Sequence, residues 1–228
     1  MQKRQNIELA RIVSAVGIVF YHSEVRGQEY FYSALVLFVI LSAYMTGNRQ
    51  LVFGLTSILP RVKRLLIPWI FWFFTYGLAN LVRQKPFFPA SNHVVAGVLS
   101  GTSDHLWYMP FIFFCLISLD FIKTRIPGKI IGLSSALLGV FSLAAAPNWR
   151  DYSLSLGYPW AQYFHATPGF MIGIFLIYST NLSRLINFLV FFSLILAAAS
   201  VLPLHGVGIT YLVGIFAAIF LVYCQDVR

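Results

Sequence analysis

Polar residues in this chain gather in clusters, and the stretches between them are apolar on every side rather than striped. Eight such stretches are centred near 7–24, 31–47, 66–82, 106–122, 129–146, 160–178, 185–203 and 207–224. Each approaches the roughly 17–25 residues that carry an α-helix across a hydrocarbon core, and a helix apolar all round belongs in a membrane or a large core. The longest polar interruptions are 48–64 and 83–105. Within the second, His93–Ser100 is mildly apolar and too short to span, which predicts a re-entrant or interfacial piece. Most prolines mark the ends of stretches. Pro110 and Pro168 fall inside them, where a kink or a broken turn is expected.

Charge then orients the stretches. With the N-terminus in the cytoplasm and alternation thereafter, the inner side receives Lys3, Arg4, Arg49, Arg61, Lys63, Arg64, Lys123, Arg125, Lys129, Arg184 and Arg228. The outer side receives only Arg26, Arg83, Lys85 and Arg150. This is the bias of the positive-inside rule. The net charge of +9 is therefore read as topology, and no basic stripe suited to nucleic acid is found. Composition agrees: 59% of residues are hydrophobic and 10% charged, with a mean hydropathy of +0.78, against about 25% charged in soluble domains. Aromatics at 17% suit lipid packing and interfacial belts. The expected fold is an all-α polytopic transmembrane bundle of about eight spans, N-terminus cytoplasmic, forming one membrane domain over residues 1–228 without repeats. Glu8 and Arg11 interrupt the first apolar run and no small-residue cleavage site follows, so that run is expected as a retained helix. Cys115 and Cys224 offer neither a disulfide framework nor a metal cluster, and no metal site is expected.

In lipid, ionisable groups inside a span are costly and mark functional candidates. The first span carries Arg11-Ile-Val-Ser-Ala-Val-Gly-Ile-Val-Phe-Tyr-His22. Eleven helical steps of about 100° make roughly 1100°, about 20° from whole turns, which places both side chains on one face about 16 Å apart. Arg11 lies towards the cytoplasm and His22 near the outer surface. Two readings stay open: a catalytic pair, or an arginine reaching for headgroups and an interfacial histidine.

Further segments carry a resemblance. Phe38-Val-Ile-Leu-Ser42-Ala43-Tyr44 closes the second stretch, Arg61-Val-Lys-Arg64-Leu-Leu-Ile-Pro68-Trp69 leads into the third, and His105-Leu-Trp107-Tyr108 opens the fourth. With Arg11 and His22 these resemble, in order and spacing, the motifs of the acyltransferase-3 family of polytopic membrane O-acyltransferases. That family pairs an Arg or Lys with a His after ten intervening residues in the first helix. Ala43 stands where the family usually has Gly. The likeness runs from about residue 6 to 110; beyond it, Tyr163-Phe164, Gly169-Phe170 and Gly173 agree only loosely. Family members commonly have more spans and a Ser-Tyr…His-type last segment. This chain reaches Gln225-Asp-Val-Arg228 without one, so either a shortened member lacking the C-terminal spans or a truncated product is expected.

The resemblance implies transfer of an acyl group, usually acetyl, from cytoplasmic acetyl-coenzyme A to a hydroxyl of an extracytoplasmic polysaccharide or glycolipid. It implies residence in a bacterial inner membrane, with lipid, acyl-coenzyme A and the glycan acceptor as partners. An imidazole, with an unperturbed pKa of about 6.5, suits His22 as general base; direct attack by the hydroxyl and a transient acyl-histidine are both consistent. Arg61, Lys63 and Arg64 form an inner cationic patch suited to the donor's phosphates, or serve only as an orientation signal. Arg11 lies between that patch and His22 along the topology. Trp107 and Tyr108 are interfacial anchors or acceptor-cavity residues. His105 is solvated or faces that cavity. His165, beside Pro168 and Gly169, lines it or is bonded within the bundle. Ser42 shapes the channel or bonds its own helix backbone. Glu24, Asp104 and Asp151 are alternative carboxylates for orienting His22. A transporter or flippase of a lipid-linked sugar or small solute, and a non-catalytic scaffold, are the competing classes; both would give no covalent transfer.

The orientation has a direct test. In a background with Cys115 and Cys224 replaced, Lys85→Cys should react with an impermeant thiol reagent added outside intact cells, and Lys63→Cys should not. The reverse pattern overturns the assigned topology.

Overall fold

The structure is a computed structural model that describes residues 5–23, 28–47, 54–88, 93–103 and 105–223. It is helical throughout, with no strand among the described residues. Helix α1 is Gln5–Tyr21 and α2 is Tyr32–Gly47, entered by a single 3₁₀ turn at Gln28–Phe31. Helix α3, Leu55–Arg61, runs through a π-helical turn, Val62–Leu66, into α4, Ile67–Val82. Then come α5 Val94–Ser100, α6 Tyr108–Lys123, α7 Gly128–Ala144, α8 Ala146–Leu156, α9 Trp160–Tyr178, α10 Arg184–Ser200 and α11 Gly208–Tyr223.

Each of the eight apolar stretches carries a helix. One run, Ile58–Val82, is 25 residues long and apolar enough to cross a bilayer unaided; the pair α7 and α8, broken at Ala145, is a second candidate if read as one span. Helices α2, α10 and α11 are apolar but shorter, at 16 or 17 residues, which is about 24–26 Å of helix against a hydrocarbon core of about 30 Å. Large apolar side chains stand outward on several helices: Val19 of α1, Phe71 of α4, Leu137 and Phe141 of α7, Phe188 of α10 and Phe220 of α11 are all largely exposed. Exposed apolar surface on that scale marks a membrane or a partner.

Two local expectations are corrected. Arg61, Lys63 and Arg64 were expected in a loop, but helix begins at Leu55 and all three lie within the helical run. Pro110 causes no break, because it is the third residue of α6, where the backbone N–H of a helix has no partner to lose. Pro168 leaves α9 continuous. The Tyr211 hydroxyl donates to the backbone carbonyl of His165, three residues before that proline. The short apolar segment at 93–100 is helix α5.

The chain forms two compact units: Met1–Asn48, Pro127–Asn148 and His165–Arg228 make one, Arg49–Ile126 and Trp149–Phe164 the other. In the first, α2 packs against α1 and α11, and α10 against α7 and α11. Backbones approach closely where small residues meet, the usual way helices associate in lipid. A Cβ added to Gly17 of α1 would stand 2.7 Å from the Ala34 Cβ of α2; one added to Gly173 of α9 would stand 2.5 Å from the Ile40 carbonyl oxygen. In the second unit α6 lies along α3 and the π turn. There the Thr102 hydroxyl donates to the Phe73 carbonyl (2.6 Å) and Asn80 to the Thr102 carbonyl (2.9 Å), tying the Gly101–Ser103 bend to α4.

These contacts make a paired prediction. Gly173→Ala should lower thermal stability in detergent by about 1–3 kcal/mol, the cost of overpacking against an atom that cannot yield. Gly139→Ala, whose added methyl would meet side chains at 3.4 Å or more, should be neutral or slightly stabilising. Equal effects at both positions would refute the close approach of α9 and α2.

Candidate functional site

Helix α1 delivers the predicted pair to one side of the first unit. Its hydrogen bonding continues one residue past the last helical position, since the His22 N–H reaches the Ile18 carbonyl at 3.2 Å. The periodicity that aligns Arg11 with His22 is therefore unbroken between them. The Arg11 guanidinium carbon lies 5.6 Å from the centroid of the Phe38 ring on α2, within cation–π range. Its Nε is buried and has no hydrogen-bond partner among the described residues.

One turn beyond Phe38, Ser42 is buried, and its Oγ also lacks a partner among the described residues. The back-bond to its own helix is thus not made, in contrast to Ser100, whose hydroxyl donates to the Ala96 carbonyl at 2.8 Å. Arg11 and Ser42 thus place two unsatisfied polar atoms near Phe38, on the two helices beside His22. Leaving such a group unpaired costs about 1–3 kcal/mol, which helical proteins accept where a ligand or a reaction uses it.

His22 itself is exposed, at the end of α1. Its ring stands edge-on to Tyr21 at 5.1 Å, and Tyr21 in turn lies 4.8 Å from Tyr32. Tyr32 and His165 flank Gly206: a Cβ added there would sit 3.3 Å from the Tyr32 ring and 4.0 Å from the His165 ring. Gly206 has φ +79, a conformation glycine adopts without strain. Ring contacts thus run from His22 through Tyr21 to Tyr32, and Tyr32 and His165 both border Gly206. His165 is half-buried and anchored through its carbonyl by Tyr211. Tyr32 was not singled out from the sequence, where it is one of 12 tyrosines at the head of an apolar stretch.

An apolar groove of about 370 Å³ also opens in this unit, lined in part by Val13, Val16, Gly17 and Phe20. Those α1 positions are about half a turn from Arg11 and His22, so the groove belongs to the opposite face of the helix.

Other sequence candidates fall in the second unit, where Arg61, Lys63 and Arg64 do not form one exposed patch. Arg61 is buried, 4% exposed, and its Nε and Nη2 each donate to the Asp120 carboxylate at 2.9 Å. Asp120 is fully buried at 0%. Lys63 and Arg64 are exposed on the π turn. Asp120 escaped the sequence reading although it is an acidic residue within a predicted span, and such a residue signals a partner or a function.

Trp107 is buried rather than interfacial, within a ring cluster with Phe111 and Tyr163. Tyr108 is half-buried beside it. His105 is exposed, its Nδ1 3.3 Å from the Ser103 hydroxyl and its ring edge-on to Tyr76. Asp151 is exposed and pairs with its neighbour Arg150 at 3.0 Å. Glu24 and Asp104 lie outside the described residues. No group of three or more His, Cys, Asp or Glu suited to a metal occurs among the described residues.

Comparison with known proteins places this geometry in a family. No curated protein and no solved structure matches the chain. The family model described as "Acyltransferase domain" matches residues 4–227, nearly the whole chain. Members of that family are membrane proteins that transfer acyl groups. The chain belongs to the acyltransferase-3 family.

Proposed function

We propose that this protein moves an acetyl or other short acyl group from cytoplasmic acyl-coenzyme A to a hydroxyl of an extracytoplasmic polysaccharide or glycolipid, as a multi-pass protein of a bacterial inner membrane. The observation that carries the reading is the unbroken helical register from Arg11 to His22 in a chain of an acyltransferase family. The reading takes eight spans with the N-terminus inside, a topology that sets Arg11 towards the donor's compartment and His22 towards the acceptor's.

In this mechanism the His22 imidazole accepts the proton of the acceptor hydroxyl. The hydroxyl oxygen bonds to the thioester carbonyl carbon, the carbon–sulfur bond breaks, and the proton passes on to the departing thiolate. If an acyl-imidazole forms first, the imidazole nitrogen bonds to the thioester carbon as the carbon–sulfur bond breaks, and the thiolate takes up the ring's N–H proton. In a second step the hydroxyl oxygen bonds to that carbon, the carbon–nitrogen bond breaks and the hydroxyl proton returns to the ring. The Arg11 guanidinium, planar and rich in donors, holds the donor's arm on its way from the inner side to His22, with Ser42 one turn along α2 from the ring Arg11 stacks on. On the inner side, Lys63 and Arg64 take the donor's phosphates, and the exposed charge of that site makes binding sensitive to salt. His165 and Tyr32 shape the acceptor end.

His22→Ala should abolish transfer of labelled acetyl from acetyl-coenzyme A into membrane glycan while leaving membrane yield near normal; substantial residual activity refutes the base. Inserting one Ala after Val16 tests the shared face. It rotates Arg11 against His22 by about 100° and adds only about 1.5 Å, using the best helix former. Activity should collapse in correctly inserted protein, whereas Arg11→Lys should retain a part. An insertion variant as active as the parent would make the alignment incidental.

A further inference from the structure

The buried pair Arg61–Asp120 stands at a weak point of its helix. Pro60 precedes Arg61, and Pro68 follows at the start of α4. Neither proline offers a backbone N–H, and each crowds the carbonyl four residues before it. Pro68 thereby removes the α-helical donor for the Arg64 carbonyl. The chain answers with a π turn, in which the Ile67 N–H bonds to the Val62 carbonyl. Such turns are rare and concentrate at functional sites.

The turn sorts the cations. Arg61 faces inward and gives Nε and Nη2 to both oxygens of Asp120, an interaction fixed in angle as well as in distance. Two and three residues on, Lys63 and Arg64 face outward. Lys123, one turn beyond Asp120 on α6, feels the charge of both Asp120 and Arg61. One carboxylate therefore balances two neighbouring cations at the end of α6. Two apolar side chains of the same volume would hold α3 against α6 as well as an ion pair, without its desolvation penalty. What the bidentate pair adds is rotational register at the place where two prolines have loosened it.

We propose that Asp120 is a positioning residue for the donor site: by clamping Arg61 it sets the π turn so that Lys63 and Arg64 present together to the phosphates of a nucleotide-bearing acyl carrier. Arg61 itself is not a phosphate ligand. This rests on the donor reading above, in which the inner cations bind acyl-coenzyme A.

The test measures coenzyme A affinity of the full-length protein in detergent, beside the acetyl-transfer rate in membranes at saturating acetyl-coenzyme A. Asp120→Asn should weaken coenzyme A binding roughly tenfold, which is a change of about 1.4 kcal/mol, and leave the saturated rate within about twofold. The charge swap Arg61→Asp with Asp120→Arg rebuilds the pair in reverse and should recover most of the affinity; a direct phosphate contact by Arg61 predicts no recovery and overturns the assignment. Should Asp120→Asn fail to accumulate, Asp120→Glu keeps the charge but displaces the clamp. It should then weaken binding at normal yield, and unchanged affinity there overturns the proposal. Lys63→Ala with Arg64→Ala separates the two levels. If this double variant binds coenzyme A normally, the donor reading itself fails; if it binds weakly while Asp120→Asn binds normally, only the positioning role falls.

Discussion

Hydrocarbon offers no hydrogen-bond partner, so every polar group that enters these helices must find one within the protein or remain unsatisfied. Most are satisfied within the protein. Thr102 reaches the Phe73 carbonyl, Tyr211 the His165 carbonyl, Asn187 the Ser179 carbonyl, and Arg61 takes Asp120. Others stay open among the described residues, including Gln28 Oε1, Arg61 Nη1, Asn187 Oδ1, Arg11 Nε and Ser42 Oγ. What sets Arg11 and Ser42 apart is their place: both lie beside Phe38, on the helix pair that also carries His22. On the proposed reading they receive polar groups of the donor.

The two units handle charge differently. In the first, a cation rests on an aromatic face, a contact that leaves its donors available. In the second, a cation is locked by a carboxylate, which consumes two of its nitrogens and fixes its direction. A guanidinium serves both purposes because it is planar and always charged. Arg11 is thus suited to meeting a ligand, and Arg61 to holding backbone.

Much of the helical order was legible from the sequence, because an uninterrupted apolar run has few alternatives to a helix. The alignment of Arg11 with His22 was legible too, being a matter of periodicity over eleven steps. The π turn was not: composition carries no mark of it beyond Pro60 and Pro68, which read equally well as span boundaries. Arg61 was grouped with Lys63 and Arg64 because they adjoin in sequence. Its burial depends on a carboxylate 59 positions away, and no local pattern reveals such a partner. Asp120 was visible as a charge inside a predicted span. Trp107, at the entrance of a span, resembled an interfacial anchor; its burial follows from Tyr163, which arrives on a different helix.

Helix α2 meets α1 at Ala34, α11 at Val36 and α9 at Ile40 and Ala43, each time with a glycine of the partner against it. Contacts that close leave no slack for sliding, because a shift of one ångström drives a backbone into a methyl group. Helix α2 is consequently the element around which its unit is assembled. Helices α1, α9 and α11 each come against it at a glycine, so a bulkier residue at Gly17, Gly173 or Gly214 would push that neighbour away from the shared axis.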